Sequence, residues 1–209
     1  MLGMTHLPDS FYPIASSADE VAQAVKAGAC FIQLRAKTED KNFVRHEVRK
    51  ALEVSRVYQA CLVVNDHWEI ALDEGAPYIH LGQEDLLSAD YKAIHRQGVK
   101  LGVSTHDHHE LSSAQKVDPH YIALGPVWET TLKVMPWQPQ GLKRVREWAS
   151  LIAPIPLVAI GGVTTERSLS CLKAGAEAVA VVSDVFRHTA SIEQRVKAWQ
   201  EALRDSCSC

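Results

Sequence analysis

Eight short apolar runs alternate with helix-like segments along the chain, and few folds accommodate that rhythm. The runs lie at 12–15, 31–34, 61–64, 78–81, 101–103, 121–124, 157–160 and 178–182. Each is about strand length, and most precede segments with helical periodicity. The helices expected from that periodicity cover 19–27, 40–58, 68–74, 89–96, 108–117, 142–152, 166–174 and 192–204, with Gly28, Gly75, Gly98 and Gly175 placed to stop four of them. The strands are apolar on both faces, as a buried parallel sheet requires. Eight such pairs within 209 residues favour a closed (β/α)8 TIM barrel of the α/β class over an open doubly wound sheet. No linker or composition break divides the chain, so one domain is expected over 1–209, with 207–209 a flexible tail. Residues 129–140 carry two prolines and one tryptophan without periodicity, which marks a mobile lid.

A net charge of -3 and a pI near 6.4 give no basic excess, so nucleic acid and anionic membranes are not expected partners. Any phosphate recognition must therefore be local. Cys30, Cys61 and Cys171 lie in or beside expected core elements, and Cys207 and Cys209 stand on a polar tail, which reads as a reducing cytoplasm. With no basic leader before a long apolar stretch and no run near the roughly 18 apolar residues of a membrane span, a soluble, unexported protein is expected.

In a parallel barrel every residue just after a strand sits on one rim, where barrel enzymes do their chemistry. That rim gathers Arg35, Lys37, Asn65, Asp66, Asp85, Ser104, Lys133, Gly161 and Gly162. Two neighbouring carboxylates, Asp66 and Asp85, beside several cations suit a magnesium diphosphate, because magnesium takes one or two protein carboxylates and completes its shell with water and phosphate oxygens. Gln33, Arg35 and Lys37 alternate along an extended segment and can share one side. Gly161-Gly162 and Ser183 follow the last two strands, a common barrel site for a second phosphate. Singly, each feature has a plain structural explanation: helix caps for the aspartates, solvated charges for Arg35 and Lys37, a tight turn for the glycines. The run from His106 to His109 is read as a helix start with Asp107 and Glu110 at capping-box spacing rather than a metal site, and His80 as core.

These residues resemble the thiamin phosphate synthase family over nearly the whole chain. The matching stretches include Tyr12-Pro13-Ile14, Gln33-Leu34-Arg35-Ala36-Lys37, Val64-Asn65-Asp66-His67-Trp68, His80-Leu81-Gly82-Gln83-Glu84-Asp85, Gly102-Val103-Ser104-Thr105-His106, Ala159-Ile160-Gly161-Gly162 and Val181-Val182-Ser183. The resemblance implies that Gln33, Leu34, Arg35, Ala36, Lys37, Asn65, Ser104 and Lys133 hold hydroxymethylpyrimidine diphosphate, and that Asp66 and Asp85 bind Mg2+. It implies that Gly162, Val182 and Ser183 hold thiazole phosphate, with Arg35, Lys37, Ser104 and Lys133 acting in catalysis. The implied reaction is dissociative: diphosphate leaves, a pyrimidine-methyl cation forms, and the thiazole nitrogen captures it. Both substrates are small molecules, and a homo-oligomer is left open.

Two relatives on the same barrel remain as alternatives, a synthase-like thiazole tautomerase and a non-catalytic binder of thiamin phosphates. Retention of both aspartates, Arg35, Lys37 and Lys133 favours the synthase. An aldolase would want a Schiff-base lysine in a strand, and the expected strands hold none. One departure stands out: the family carries a Thr-x-Thr-Lys run whose hydroxyls contact the thiazole phosphate, and this chain reads Glu129-Thr130-Thr131-Leu132-Lys133. Loss of that donor weakens phosphate binding by about 1–3 kcal/mol unless Thr131 replaces it. Leu132→Thr is therefore expected to lower the KM for thiazole phosphate in steady-state assays; an unchanged or raised KM would show that the hydroxyl is not limiting.

Overall fold

The computed structural model describes residues 6–130 and 137–204, and its eight parallel strands close into a barrel in chain order. The elements are β1 (Phe11–Ala15), α1 (Ala18–Lys26), β2 (Phe31–Leu34), α2 (Lys41–Val57), β3 (Cys61–Asn65), α3 (Trp68–Asp73), β4 (Tyr78–Leu81), α4 (Gln83–Ser88), α5 (Tyr91–Arg96), β5 (Lys100–Thr105), α6 (His108–Gln115), β6 (Tyr121–Leu124), α7 (Gly141–Ile152), β7 (Leu157–Ile160), α8 (Thr165–Lys173), β8 (Ala178–Val181), α9 (Ser183–Phe186) and α10 (Ile192–Arg204). Closure is made by β1 against β8, where Phe11, Tyr12 and Pro13 face Val179, Ala180 and Val181. The expected tail, 207–209, lies outside the described residues. Among the described residues no helix is long and apolar enough to cross a membrane.

Local chemistry sets the element boundaries. Ser17 caps α1 by accepting from the Glu20 amide, and Asp40 caps α2 by accepting from the amides of Asn42 and Phe43. Asp107 caps α6 by accepting from the Glu110 amide at 2.9 Å, while the Glu110 carboxylate turns back to the His106 amide at 2.7 Å. The capping box read from the sequence thus closes one residue further out. Two short helices were not expected, α4 and α9. Neither shows an amphipathic period: α4 buries none of its residues and α9 is a single turn. Ser104 lies within β5 rather than just after it, and α6 stops at Gln115, two residues short of the expected end.

Because strand side chains alternate, the barrel wall carries two separate cores. Ile32, Leu34, Leu62, Val64, Ile79 and Leu81 face outward and pack under the helices. Tyr12, Phe31, Val63, Tyr78, Tyr121, Val158, Ala178 and Ala180 face inward and fill the interior. Four aromatic rings form most of that inner plug: Tyr12 stacks on Phe31 with centroids 4.1 Å apart, and Tyr78 and Tyr121 meet Phe31 edge-on. Their bulk is accommodated by small residues elsewhere on the wall, Ala178, Ala180 and above all Gly102. A Cβ on Gly102 would lie 2.1 Å from Tyr121 Cζ.

Gly102→Ala must therefore displace the Tyr121 ring inside a filled barrel, at a cost of about 1–3 kcal/mol. Urea unfolding should show the midpoint falling by a matching amount with little change in slope; an unchanged midpoint would mean that the ring has room to move.

Candidate active site

The C-terminal ends of the strands open on a cavity of about 1250 Å3. Its lining includes Gln33, Arg35, Lys37, Asn65, Asp66, Asp85, Ser104, Thr130, Gly162, Val182 and Ser183, so these sequence-nominated residues are brought together. Leu34 and Ala36 are not. Leu34 points outward into the core beneath the helices, and Ala36 packs against that same core while its carbonyl accepts from His67 Nε2 at 3.2 Å. The alternation that brings Gln33, Arg35 and Lys37 to the cavity turns the residues between them away. Thr131, Leu132 and Lys133 lie outside the described residues, as does half of the expected lid. Its stems are placed: Glu129 and Thr130 line the cavity, and the Gln140 and Gly141 amides donate to the Pro126 and Val127 carbonyls at 2.8 and 3.0 Å.

The acidic pair sits where β3 and β4 end. Asp66 adopts a left-handed conformation with φ of 63°, a region few non-glycine residues occupy and one that marks functional strand ends. Its amide donates to the His80 carbonyl at 3.0 Å, fixing it beside β4. Asp85 stands in the first turn of the unexpected α4, which leads directly from β4. Burial, then the charge of Asp85 and a hydrogen bond with it, push the Asp66 carboxyl up to about 6, with Arg35 and His67 opposing. A buried carboxyl whose ionisation is opposed by a neighbouring carboxylate suits a site that gains from a cation. Among the described residues no three His, Cys, Asp or Glu side chains converge, so the pair would furnish part of a hard-cation shell and leave the rest to water and substrate oxygens.

Opposite this pair lies a region suited to a smaller anion. Gly161 and Gly162 have φ of 98° and 64°, and side chains there would strike Pro126 Cα at 2.6 Å and the Glu129 carbonyl at 2.5 Å. Close approach of the 126–129 segment thus demands both glycines, whatever they bind. Arg167 donates to the Gly162 carbonyl at 2.7 Å and lies over the Trp128 ring, 5.1 Å from its centroid. Ser183 begins α9, in the place where barrels commonly set a short extra helix against a phosphate. Asp184 ties that helix down by accepting from the Trp199 indole at 2.7 Å and pairing with Arg195. Arg167, Arg187 and His188 line the cavity as well, and the sequence reading missed all three because none stands at a strand end.

The largest omission lies on the cavity floor. His80, read as core, is buried with both nitrogens engaged: Nδ1 meets the Tyr121 hydroxyl at 2.9 Å and Nε2 meets Ser104 Oγ at 2.8 Å. Tyr121 continues to the Tyr12 hydroxyl at 2.8 Å, and Gln33 Nε2 donates to Tyr12 at 2.8 Å. Burial, aided by the charge of Arg35, pulls His80 down to about 4, so the ring is neutral at physiological pH. Alternation was the available signal, because Tyr78 and His80 share one face of a strand whose other face is Ile79 and Leu81. The lysine an aldolase needs is not at this end. Lys100, the one lysine in the described strands, opens β5 at the opposite end of the barrel and donates to the Tyr78 hydroxyl at 3.0 Å.

Comparison with known proteins gives one answer. The sequence profile of the thiamine monophosphate synthase family matches residues 9–185. The thiamine-phosphate synthase of Rhizobium etli is 47% identical over 194 residues, covering 93% of this chain and 95% of that one. That of Serratia proteamaculans is 42% identical over 174 residues, covering 83% and 82%. Among solved structures, a thiamine phosphate pyrophosphorylase from Pyrococcus furiosus superposes with a TM-score of 0.82 at 24% identity, covering 94% of this chain and 96% of that one. A structure titled native KDPGal reaches a TM-score of 0.75 at 17% identity over the full length of both chains. At those identities the structural likenesses speak for the barrel alone.

The low proton affinity of His80 has a signed consequence for stability. The folded state disfavours the imidazolium, so between the unfolded value near 6.5 and the folded value of about 4 the unfolded chain binds more protons. This contribution is fully present above pH 6.5, falls as pH drops, and is gone below about pH 4, a loss of about 3 kcal/mol in all. Unfolding free energies at pH 7 and pH 4 should therefore differ less in His80→Gln, which cannot ionise, than in the native protein. Equal differences would show that the fold does not hold His80 neutral.

Proposed function

The chain belongs to the thiamine monophosphate synthase family, and we propose that it works through a magnesium diphosphate held at Asp66 and Asp85. The protein is a transferase. It joins 4-amino-2-methyl-5-hydroxymethylpyrimidine diphosphate to 4-methyl-5-(2-hydroxyethyl)thiazole phosphate, giving thiamin phosphate and diphosphate. The observation that carries the magnesium reading is the Asp66 carboxyl, pushed up by burial and by the adjoining Asp85, on the rim where Arg35 and Lys37 also face the cavity.

The proposed chemistry asks little of the protein in covalent terms. The carbon–oxygen bond to diphosphate breaks with both electrons going to the leaving group, and the thiazole nitrogen lone pair then closes on the pyrimidine-methyl cation. No protein nucleophile takes part. Arg35 and Lys37, joined in the sequence reading by Lys133, are assigned to the charge that grows on the departing diphosphate, where preorganised charges act most strongly. Magnesium, when bound, would supply further charge neutralisation at the same oxygens. Asn65 and Ser104 are assigned to the pyrimidine diphosphate, and Gly162, Val182, Ser183 and Thr130 to the thiazole phosphate. Arg167 and Arg187 add positive charge at that end, where His188 also lines the cavity. The cavity has room for both substrates together, as capture of a short-lived cation requires.

The test mixes both substrates with the protein and magnesium and follows thiamin phosphate as its fluorescent thiochrome derivative. Product that disappears with a chelator and returns with added magnesium is expected, as is a loss on the order of a hundredfold or more in turnover for Asp85→Ala. Chelator-insensitive turnover, or near-normal turnover in Asp85→Ala, would remove the metal assignment and leave the transferase reading in place. Absence of product with intact substrates and folded protein would shift the assignment to the tautomerase or the binder.

A further inference from the structure

The floor network has a direction, and the direction has a consequence for specificity. Gln33 Nε2 donates to the Tyr12 hydroxyl, so its Oε1 is left for the cavity that Gln33 lines. Each tyrosine hydroxyl carries a single hydrogen. Tyr12 receives one hydrogen bond from Gln33, and its other partner is the Tyr121 oxygen at 2.8 Å, so the Tyr12 hydrogen goes there. The Tyr121 hydrogen in turn goes to His80 Nδ1 at 2.9 Å. A neutral imidazole that accepts at Nδ1 carries its hydrogen on Nε2, which then donates to Ser104 Oγ at 2.8 Å. Ser104 thus keeps its own hydrogen for the cavity it lines. No link can reverse alone, because both tyrosine hydroxyls are buried between two partners and a single reversal sets two hydrogens or two lone pairs face to face.

The geometry points to Tyr12, Tyr121 and His80 as positioning residues of a polarised relay that holds Ser104 as a donor and Gln33 Oε1 as an acceptor. The two ends of the relay then match a ring that offers both an acceptor nitrogen and an amino group. An aminopyrimidine is such a ring. Its 4-oxo counterpart inverts both polarities, offering a ring N–H and a carbonyl oxygen, and each end of the relay would meet its own kind. This inference rests on the pyrimidine diphosphate being the substrate, and it names the groups that select the amino ring over the oxo ring.

Two measurements test it. The first needs no turnover: nitrogen-15 NMR of the native protein labelled at histidine reports which nitrogen of His80 carries the hydrogen. The Nε2–H form is expected, and the Nδ1–H form or an even mixture would overturn the relay. The second compares kcat/KM for the amino substrate and its 4-oxo analogue, as competing diphosphates, in the native enzyme and in Tyr121→Phe. The native enzyme should prefer the amino ring by about a hundredfold or more. Tyr121→Phe cuts the relay so that each end can turn independently, and the preference should fall by about tenfold, while the KM for thiazole phosphate stays within about twofold. An undiminished preference in Tyr121→Phe, or an equal loss on both diphosphates, would overturn the proposal. Should the native protein make no thiamin phosphate, the functional reading fails by itself and the tautomer measurement still decides the relay.

Discussion

A closed parallel barrel must fill its own interior, and everything at this site follows from how that is done. Eight strands leave a space about wide enough for side chains, and inward positions are usually branched aliphatics. Here the plug is largely aromatic, with Tyr12, Phe31, Tyr78 and Tyr121 in mutual contact. Aromatic rings bring bulk, and tyrosines also bring hydroxyls that cannot be left unpaired in a dry interior. Tyr12 and Tyr121 solve this by bonding to each other, to Gln33 and to His80. Satisfying buried polar atoms therefore builds the floor of the cavity. The same pressure clears space at Gly102, which could carry no side chain beside Tyr121.

Above that floor the rim sets the Asp66 and Asp85 pair at the end of β3 and the start of α4, and cations on the extension of β2, on α8 and after α9, with Glu129 reaching the cavity from beyond β6. Cations thus stand at two separate places around one cavity. Burial and Asp85 both oppose the ionisation of Asp66. Asp184, by contrast, is spent on structure: its bonds to Trp199 and Arg195 hold α9 against α10, which keeps a one-turn helix in place.

The barrel was legible because its strands are short, apolar on both faces and punctuated by glycine or capping residues. Most of the rim was legible for the same reason, as strand ends are easy to locate. What the sequence hid has specific physical causes. Helices α4 and α9 leave too little apolar periodicity to show. Leu34 and Ala36 belong to the right segment and face the wrong way, a consequence of two-residue alternation that a contiguous motif obscures. His80 looked like core because it is core; its role comes from partners on β1 and β6, far away in the chain, that no local pattern announces. Arg167 reaches the cavity from a helix and depends on Trp128 and Gly162 for its position.

The stems of the long segment after β6 are anchored by main-chain groups. The amides of Gln140 and Gly141 bond the carbonyls of Pro126 and Val127, contacts made by atoms that every residue but proline carries. Side chains add to them: Gln140 donates to the His106 carbonyl at 2.9 Å, and the Trp137 ring stacks on the His106 ring with centroids 5.5 Å apart. The main-chain part of this anchoring does not depend on side-chain identity. Attachment of this kind tolerates change: a substitution at position 140 removes one side-chain bond and leaves the main-chain bonds to Pro126 and Val127 in place, so the joint between loop and barrel is robust where its atoms are common to all residues but proline.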